Sequence, residues 1–473
     1  MQVYRPRKPE ASPLWQCISN NFEAFLDEYE ERHQPHYGFL RPVITDVVHK
    51  YLDCGNLERG FARVRCDHCE HEYLLAFSCK GRWFCPSCHQ KKVQLFGALL
   101  CDAVLFPVPH RHYVLGIPKM LRPYFRNNRD LLKDLCHIAH ESIFDYMKTI
   151  LRMPHGIPGI VMTIHTFGEY LDFHPHLHAL VADGLFARSG MFHVLPRTGI
   201  KPLEKLFRAR LIAFLVEKGL LPADRARMLM GWKHSGFNVH HSRRVNQNQK
   251  EDPPSRSACY GATSMGRLAQ YIIRSPFSLE KMQFNRASQT VIYRSEMNQK
   301  IHRNFEIFTP TDFIAAITQH IPDKSFQLVR YYGWYSNKMR GQRYIRAAQK
   351  APTGAGKSVI DVSDYEPRRI PSAKWCELIK KVWEADPLLC PNCHSKMRII
   401  ALINESEIIE RILRHLGLLH LNVRACPPST AQAPPTIPPD EWLDLSRRSH
   451  DWTEGDGPFP DYDTEPVMAY ANE

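Results

Sequence analysis

The sequence predicts an α+β fold, helices packed on a sheet, preceded by a small cysteine-rich domain, and three observations carry that expectation. Segments 104–118, 159–185 and 237–245 read as strands, whereas 121–153 and 203–218 place apolar residues at helical spacing, so the two element types alternate through the middle of the chain. Cysteine is dense between Cys54 and Cys88 and sparse around that block, which marks a separate small unit. Of 473 residues, 44% are hydrophobic, enough for a sizeable core in two to four domains.

Taken in order, 22–31 is expected to be helical, with a second amphipathic piece running to Leu52. After the cysteine block, prolines bound the strand in 104–118, and 121–153 forms a long helix. Segment 159–185 then makes two strands joined at 168–173. Leu203, Leu206, Phe207, Leu211, Phe214 and Leu215 form one apolar helical stripe, ended by Gly219. A strand over 237–245 and a charged loop over 246–257 precede a short helix over 265–274, which stops before Pro276 because the proline ring clashes with a continuing helix. Segment 426–439 is a Pro-rich linker, and the acidic tail after it is expected to be disordered. The expected division is 1–98, 99–300, 301–425 with helical character, and 426–473.

Lysine and arginine exceed aspartate and glutamate by 62 to 49, a net charge of +13 that favours a polyanionic partner. No run reaches the roughly 18 apolar residues of a membrane span, and the first residues carry no apolar signal core. A cytoplasmic, nucleoid-associated protein with no membrane partner is the expectation. Fourteen cysteines in such a setting point to thiols and metal sites. Cys66, Cys69, Cys85 and Cys88 have the C-x2-C, 15 residues, C-x2-C spacing of a structural zinc site. Cys54 and Cys79 are assigned to packing or surface, as are His68, His71 and His89. Cys390 and Cys393 form a half-site without an obvious second pair.

His174, His176 and His178 alternate along an otherwise apolar strand and so point to one face, where imidazoles can grip a divalent metal. Tyr271 is the side-chain nucleophile candidate, because Arg267 and Arg274 share its helical face and can favour phenolate and clamp phosphate. The run 330–343 is basic and aromatic. Arg330, Tyr332, Trp334 and Arg340 are candidates for tracking and stacking a single strand, with a buried aromatic core as the alternative. Segment 353–358 imitates the end of a phosphate-binding loop, but Ala351 stands where its first glycine is required.

These motifs together resemble the rolling-circle HUH transposases of the insertion sequence 91 and common-region kind. The resemblance rests on Phe77-Ser78-Cys79-Lys80-Gly81-Arg82 with Cys85-Pro86-Ser87-Cys88, His165-Thr166-Phe167-Gly168, and His174-Pro175-His176-Leu177-His178. It continues in Ser235-Gly236-Phe237, Ala269 to Pro276, and Arg330-Tyr331-Tyr332-Gly333-Trp334-Tyr335-Ser336, covering about residues 15 to 420. The resemblance implies an HUH endonuclease domain with an antiparallel sheet and packed helices, acting as a single-strand DNA nickase and transferase. His176 and His178 would hold Mg2+ or Mn2+. Glu169 is favoured as third ligand, with His165 as runner-up. Tyr271 would form a 5' phosphotyrosine link, and a zinc domain would help recognise element ends. Four residues to either side of Tyr271 stand Arg267 and Ser275, so the chain has one such tyrosine, and Tyr260 lacks the helical spacing to be a second. The partners implied are single-stranded element ends, target DNA and a host helicase. A rolling-circle replication initiator or relaxase, or a non-catalytic zinc-dependent DNA-binding protein, are the alternatives.

Overall fold

The structure is a computed structural model that describes residues 2–3, 8–81, 83–232, 236–245, 264–298, 302–346, 359–362 and 385–419. Segments 353–358 and 426–473 and Tyr260 lie outside the described residues.

An antiparallel sheet forms the centre, in the order Val329–Gly333, Ile157–Phe167, Phe173–Phe186, His110–Gly116, Asn238–His241. Met191–Val194 pairs with the far end of Phe173–Phe186, and Val359–Asp361 adds to it. Phe173–Phe186 is buried along nearly its whole length, as expected of a central strand covered on both faces.

One face carries Leu115, Met162, Ile164, Leu177, Ala179 and Val181 against the helices Leu131–Leu151 and Lys201–Glu217. Helix Leu131–Leu151 buries Leu131, Leu135, Ile138, Ser142 and Tyr146 at steps of three and four, and the Ser142 hydroxyl donates to the Ile138 carbonyl at 2.7 Å, so its burial leaves no orphan donor. Each large apolar side chain so buried contributes about 1.5–3 kcal/mol.

The opposite face is split. Val161, Leu180, Ala182 and Phe186 meet Met265, Ala269, Ile272 and Ile273 of the short helix Ser264–Tyr271 and its exit turn, together with Val93 and Phe96 of the helix Pro86–Leu99. Next to this patch the same face carries His112, His165, His176 and His178.

Gly333 ends the edge strand at φ +56°, and a Cβ there would sit 1.9 Å from the Pro158 carbonyl oxygen, so only glycine allows the chain to turn inward at this point. Trp334 therefore enters the core.

The rest of the fold departs from a linear division of the chain. Helices Pro13–Asp27 and Pro42–Leu52 share a core with Pro310–Thr318 and with the strands Met282–Asn285 and Thr290–Asn298. Phe61–Cys66 pairs with Glu72–Ala76 on one side and with Met397–Ile403 on the other. Helices Asn337–Arg346 and Ser406–His415 supply further helical character after residue 301, interleaved with strands that return to earlier parts of the chain. A cut at 300 thus divides residues that share one sheet.

Candidate active site

Strand register gathers the histidines. His176 stands opposite His165 and Gly116, and His178 stands opposite Thr163 and Val114, so His165, His176, His178 and His112 share one face of three adjacent strands. Ligand nitrogens of His165, His176 and His178 all lie within 4.8 Å of one another, and all three side chains are buried.

The hydrogen bonds assign which nitrogen each ring offers. His176 Nδ1 donates to the His174 carbonyl at 2.8 Å, leaving the lone pair on Nε2. His165 Nε2 donates to the Ile272 carbonyl at 2.8 Å, leaving the lone pair on Nδ1, which is buried without a hydrogen-bond partner. His178 Nδ1 lies 2.7 Å from His112 Nε2, leaving His178 Nε2, which is likewise buried and unpartnered. Two orphaned buried nitrogens beside a third lone pair would each cost about 1–3 kcal/mol without a partner, and a divalent ion satisfies all three together.

Burial, more than charge, holds these rings neutral. His165 and His178 are pushed well below the usual imidazole range, His176 down to about 3 and His112 to about 4, with the Arg274 guanidinium adding to the effect in each. Neutral imidazole is the form that binds metal.

Glu169 is not part of this cluster. It sits exposed in the turn Glu169–Leu171, where left-handed backbone at Tyr170 (φ 52°) and Leu171 (φ 68°) tucks those two apolar residues inward and turns the carboxylate to solvent. The third nitrogen of the cluster is that of His165, the runner-up from sequence, and Glu169 lies outside it. His174 stays half-buried at the side of the cluster.

Tyr271 closes the site from above. Its ring lies 5.6 Å from the His178 ring and 5.9 Å from the His112 ring, both edge-on. It is the last residue of its helix, not a mid-helix position, because the turn tightens ahead of Pro276 and brings the Arg274 amide to the Tyr271 carbonyl at 3.1 Å. That turn folds the Arg274 guanidinium over the Tyr271 ring at 4.8 Å and over Phe167 at 5.4 Å, with its Nε buried and without a hydrogen-bond partner. Arg267, the other expected arginine, is exposed on the helix.

Two histidines fix this helix by its backbone. His165 holds the Ile272 carbonyl, and His89, on the helix Pro86–Leu99, donates from Nε2 to the Ile273 carbonyl at 2.7 Å. Gly97 lets the two helices approach, since a Cβ there would lie 2.9 Å from Gln270 Cγ.

The eight cysteines around the cysteine-rich unit form two clusters. Cys85 and Cys88 meet Cys54 and Cys79, with Sγ separations of 3.6 to 3.9 Å for Cys79–Cys88, Cys54–Cys88 and Cys54–Cys85. Cys66 and Cys69 meet Cys390 and Cys393 instead. The four cysteines expected to share one site are therefore divided. The hairpin Phe61–Cys66 and Glu72–Ala76 carries the Cys66–Cys69 turn to its far tip, and five strand residues at about 3.3 Å each put roughly 16 Å between that tip and Cys79.

Two family models match this chain. Residues 21–117 match the "Transposase zinc-binding domain" of the insertion sequence 91 type, and residues 159–343 match one described as "Putative transposase". The chain belongs to this transposase family. It is 26% identical over 388 residues to a "Transposase for insertion sequence element IS801" of Pseudomonas savastanoi pv. phaseolicola, covering 78% of this chain and 86% of that protein. It is 22% identical over 398 residues to "Putative transposase y4qJ" of Sinorhizobium fredii (strain NBRC 101917 / NGR234), covering 81% and 94%. No solved structure gives a significant match. Among the described residues, no helix is long and apolar enough to cross a membrane.

In this transposase the aromatic run after residue 329 is mostly core. Trp334 is 4% exposed and lies flat on Phe186 at 4.7 Å, which removes it from the expected base-stacking set. Tyr332 stacks on His140 at 4.4 Å, Arg330 lies over Phe326, and Arg340 lies over Tyr331, all at the half-buried edge of the sheet. Sequence reasoning missed His112, and it assigned His89 to packing or surface without its bond to the tyrosine helix. For His112 a signal existed: His110-Arg111-His112 is itself an alternating pair on a strand bounded by prolines.

Proposed function

We propose that this transposase nicks and transfers single-stranded DNA through Tyr271, by the rolling-circle chemistry that its resemblance implies. What supports this most is the convergence of three buried imidazole lone pairs beneath the ring of a tyrosine whose own backbone exit is tied to one of them, His165.

The Tyr271 oxygen attacks the scissile phosphorus, the P–O3' bond breaks, and the 3' oxygen leaves to take up a proton, while the phenol proton passes to solvent. The 5' phosphotyrosine stores the bond for rejoining to target DNA. Arg274 supplies positive charge beside the ring and an unpartnered Nε donor for a phosphate oxygen. His165, His176 and His178 would hold a divalent ion, which when bound supplies Lewis-acid polarisation of the phosphate. An all-imidazole set fits Mn2+ better than Mg2+, which prefers oxygen. His112 orients His178 from behind.

The test uses single-stranded oligonucleotides tiling the DNA that flanks the coding sequence, incubated with Mn2+ or with EDTA. A metal-dependent nick with a protein-linked 5' end is the expected result, lost in Tyr271→Phe. A nick that Tyr271→Phe retains would refute the assignment.

A further inference from the structure

We infer that Cys66, Cys69, Cys390 and Cys393 form a second tetrathiolate zinc site, which clasps the C-terminal part of the described chain to the zinc-binding domain. The matched zinc-binding region ends at residue 117, so Cys390 and Cys393 lie far outside it. The two halves are 321 residues apart for the Cys69–Cys390 pair and 327 for Cys66–Cys393.

Sulfur geometry carries the inference first. Sγ separations are 3.5 Å for Cys66–Cys393 and 3.4 Å for Cys69–Cys390, and all four sulfurs lie within 4.8 Å of one another. A tetrahedral zinc with Zn–S of about 2.3 Å sets its sulfurs about 3.8 Å apart, whereas a disulfide needs about 2.05 Å. The cluster has the spacing of the former.

Backbone geometry carries it independently. The Cys66 amide donates to the His71 carbonyl at 2.8 Å, and the Cys390 amide donates to the Ser395 carbonyl at 2.9 Å, the same five-residue closure. Glu70 (φ 58°) and His394 (φ 59°), each four residues after the first cysteine of its pair, both adopt the left-handed conformation that non-glycine residues rarely take. Two copies of one turn, each presenting a C-x2-C pair, thus face each other. Strain of about 1–2 kcal/mol at each turn persists where something holds the turn closed, and a shared ion does so.

The buried core here is Val64, Cys66, Cys390 and Met397, with Tyr73, Leu75, Leu388 and Cys393 half-buried against it, while Phe61, Ile409 and Leu413 form a separate small cluster around Ile403. Clusters this small leave the cysteine end of the strand Met397–Ile403 in need of help to stay against Phe61–Cys66. The ion supplies that help, and the cysteine half-site at 390 finds its partner pair at 66.

Zinc released by a thiol-specific mercurial and counted with a chromophoric chelator tests this, because metal on the histidine cluster is not released that way. The full chain should yield two equivalents. Cys390→Ser/Cys393→Ser and Cys66→Ser/Cys69→Ser should each yield one, and the quadruple variant also one, since both pairs hold the same ion. Cys393→His, at a half-exposed position that can take an imidazole ligand, should restore the second equivalent. Trypsin should cut after the exposed Arg398 at least tenfold faster in Cys390→Ser/Cys393→Ser than in the full chain. One equivalent from the full chain, or two from Cys390→Ser/Cys393→Ser, overturns the proposal.

Discussion

His89 links the helix that carries Cys88 to the tyrosine helix, and His89→Ala isolates that link. The ring is 1% exposed; its Nε2 donates to the Ile273 carbonyl at 2.7 Å and its Nδ1 accepts from the Trp83 amide at 3.1 Å. Burial holds the imidazole neutral, with its pKa lowered to about 4, so one nitrogen donates and the other accepts throughout the working range. Alanine leaves two backbone groups in packed surroundings without partners, at about 1–3 kcal/mol each. If half of a total of about 2 to 6 kcal/mol falls on docking of the tyrosine helix, the competent arrangement is depleted by about 1 to 3 kcal/mol. Strand cleavage should then slow by about 5- to 150-fold at one tenfold step per 1.4 kcal/mol. Single-turnover cleavage of a labelled single strand measures this, beside thiol-released zinc and a circular dichroism melt. Zinc should be unchanged, and His89→Gln, which can still donate to Ile273, should recover part of the rate. Cleavage by His89→Ala within threefold of the parent would refute the coupling.

His165→Ala should lower Mn2+-dependent cleavage at least 100-fold while Glu169→Ala stays within threefold, and the reverse ranking would restore the carboxylate as ligand. Gly97→Leu forces a side chain into Gln270 and should cost about 1–3 kcal/mol in helix docking, slowing cleavage roughly 5- to 150-fold with both thiol-held zinc ions retained; an unchanged rate contradicts the close approach. His110, His140 and His320 have pKa values lowered by burial to about 4, 4 and 3. Above pH 6.5 they are neutral folded and unfolded and contribute no pH dependence. Below it the unfolded chain takes up protons that the folded one refuses, so stability falls by about 1.4 kcal/mol per pH unit for each group. Urea melts should show the midpoint dropping steeply between pH 6.5 and 4.5, and a flat midpoint there would contradict the buried neutral state.

What the sequence made legible was local and periodic. Alternation along 174–178 placed three histidines on one face because strand geometry enforces it, and Pro276 located the end of the tyrosine helix to within a turn. What it missed depended on partners distant in the chain. His112 reaches His178 through strand pairing, and Cys66 finds Cys393 across 327 residues, a closure no spacing rule within one segment can reveal. Glu169 lies outside the histidine cluster because left-handed backbone at the next two residues leaves it at the surface, which no local pattern announces. Trp334 misled because Gly333 turns it inward, and composition alone does not distinguish an aromatic stacking platform from an aromatic core.

The residue that carries DNA can be identified in the trapped adduct. Wild-type protein trapped with a cleaved single strand, digested with nuclease and trypsin and read by tandem mass spectrometry, should carry its nucleotide 5' phosphate on the peptide containing Tyr271. A phosphate on any other side chain, or quantitative cleavage with no protein adduct at all, would contradict the assignment of Tyr271 as nucleophile.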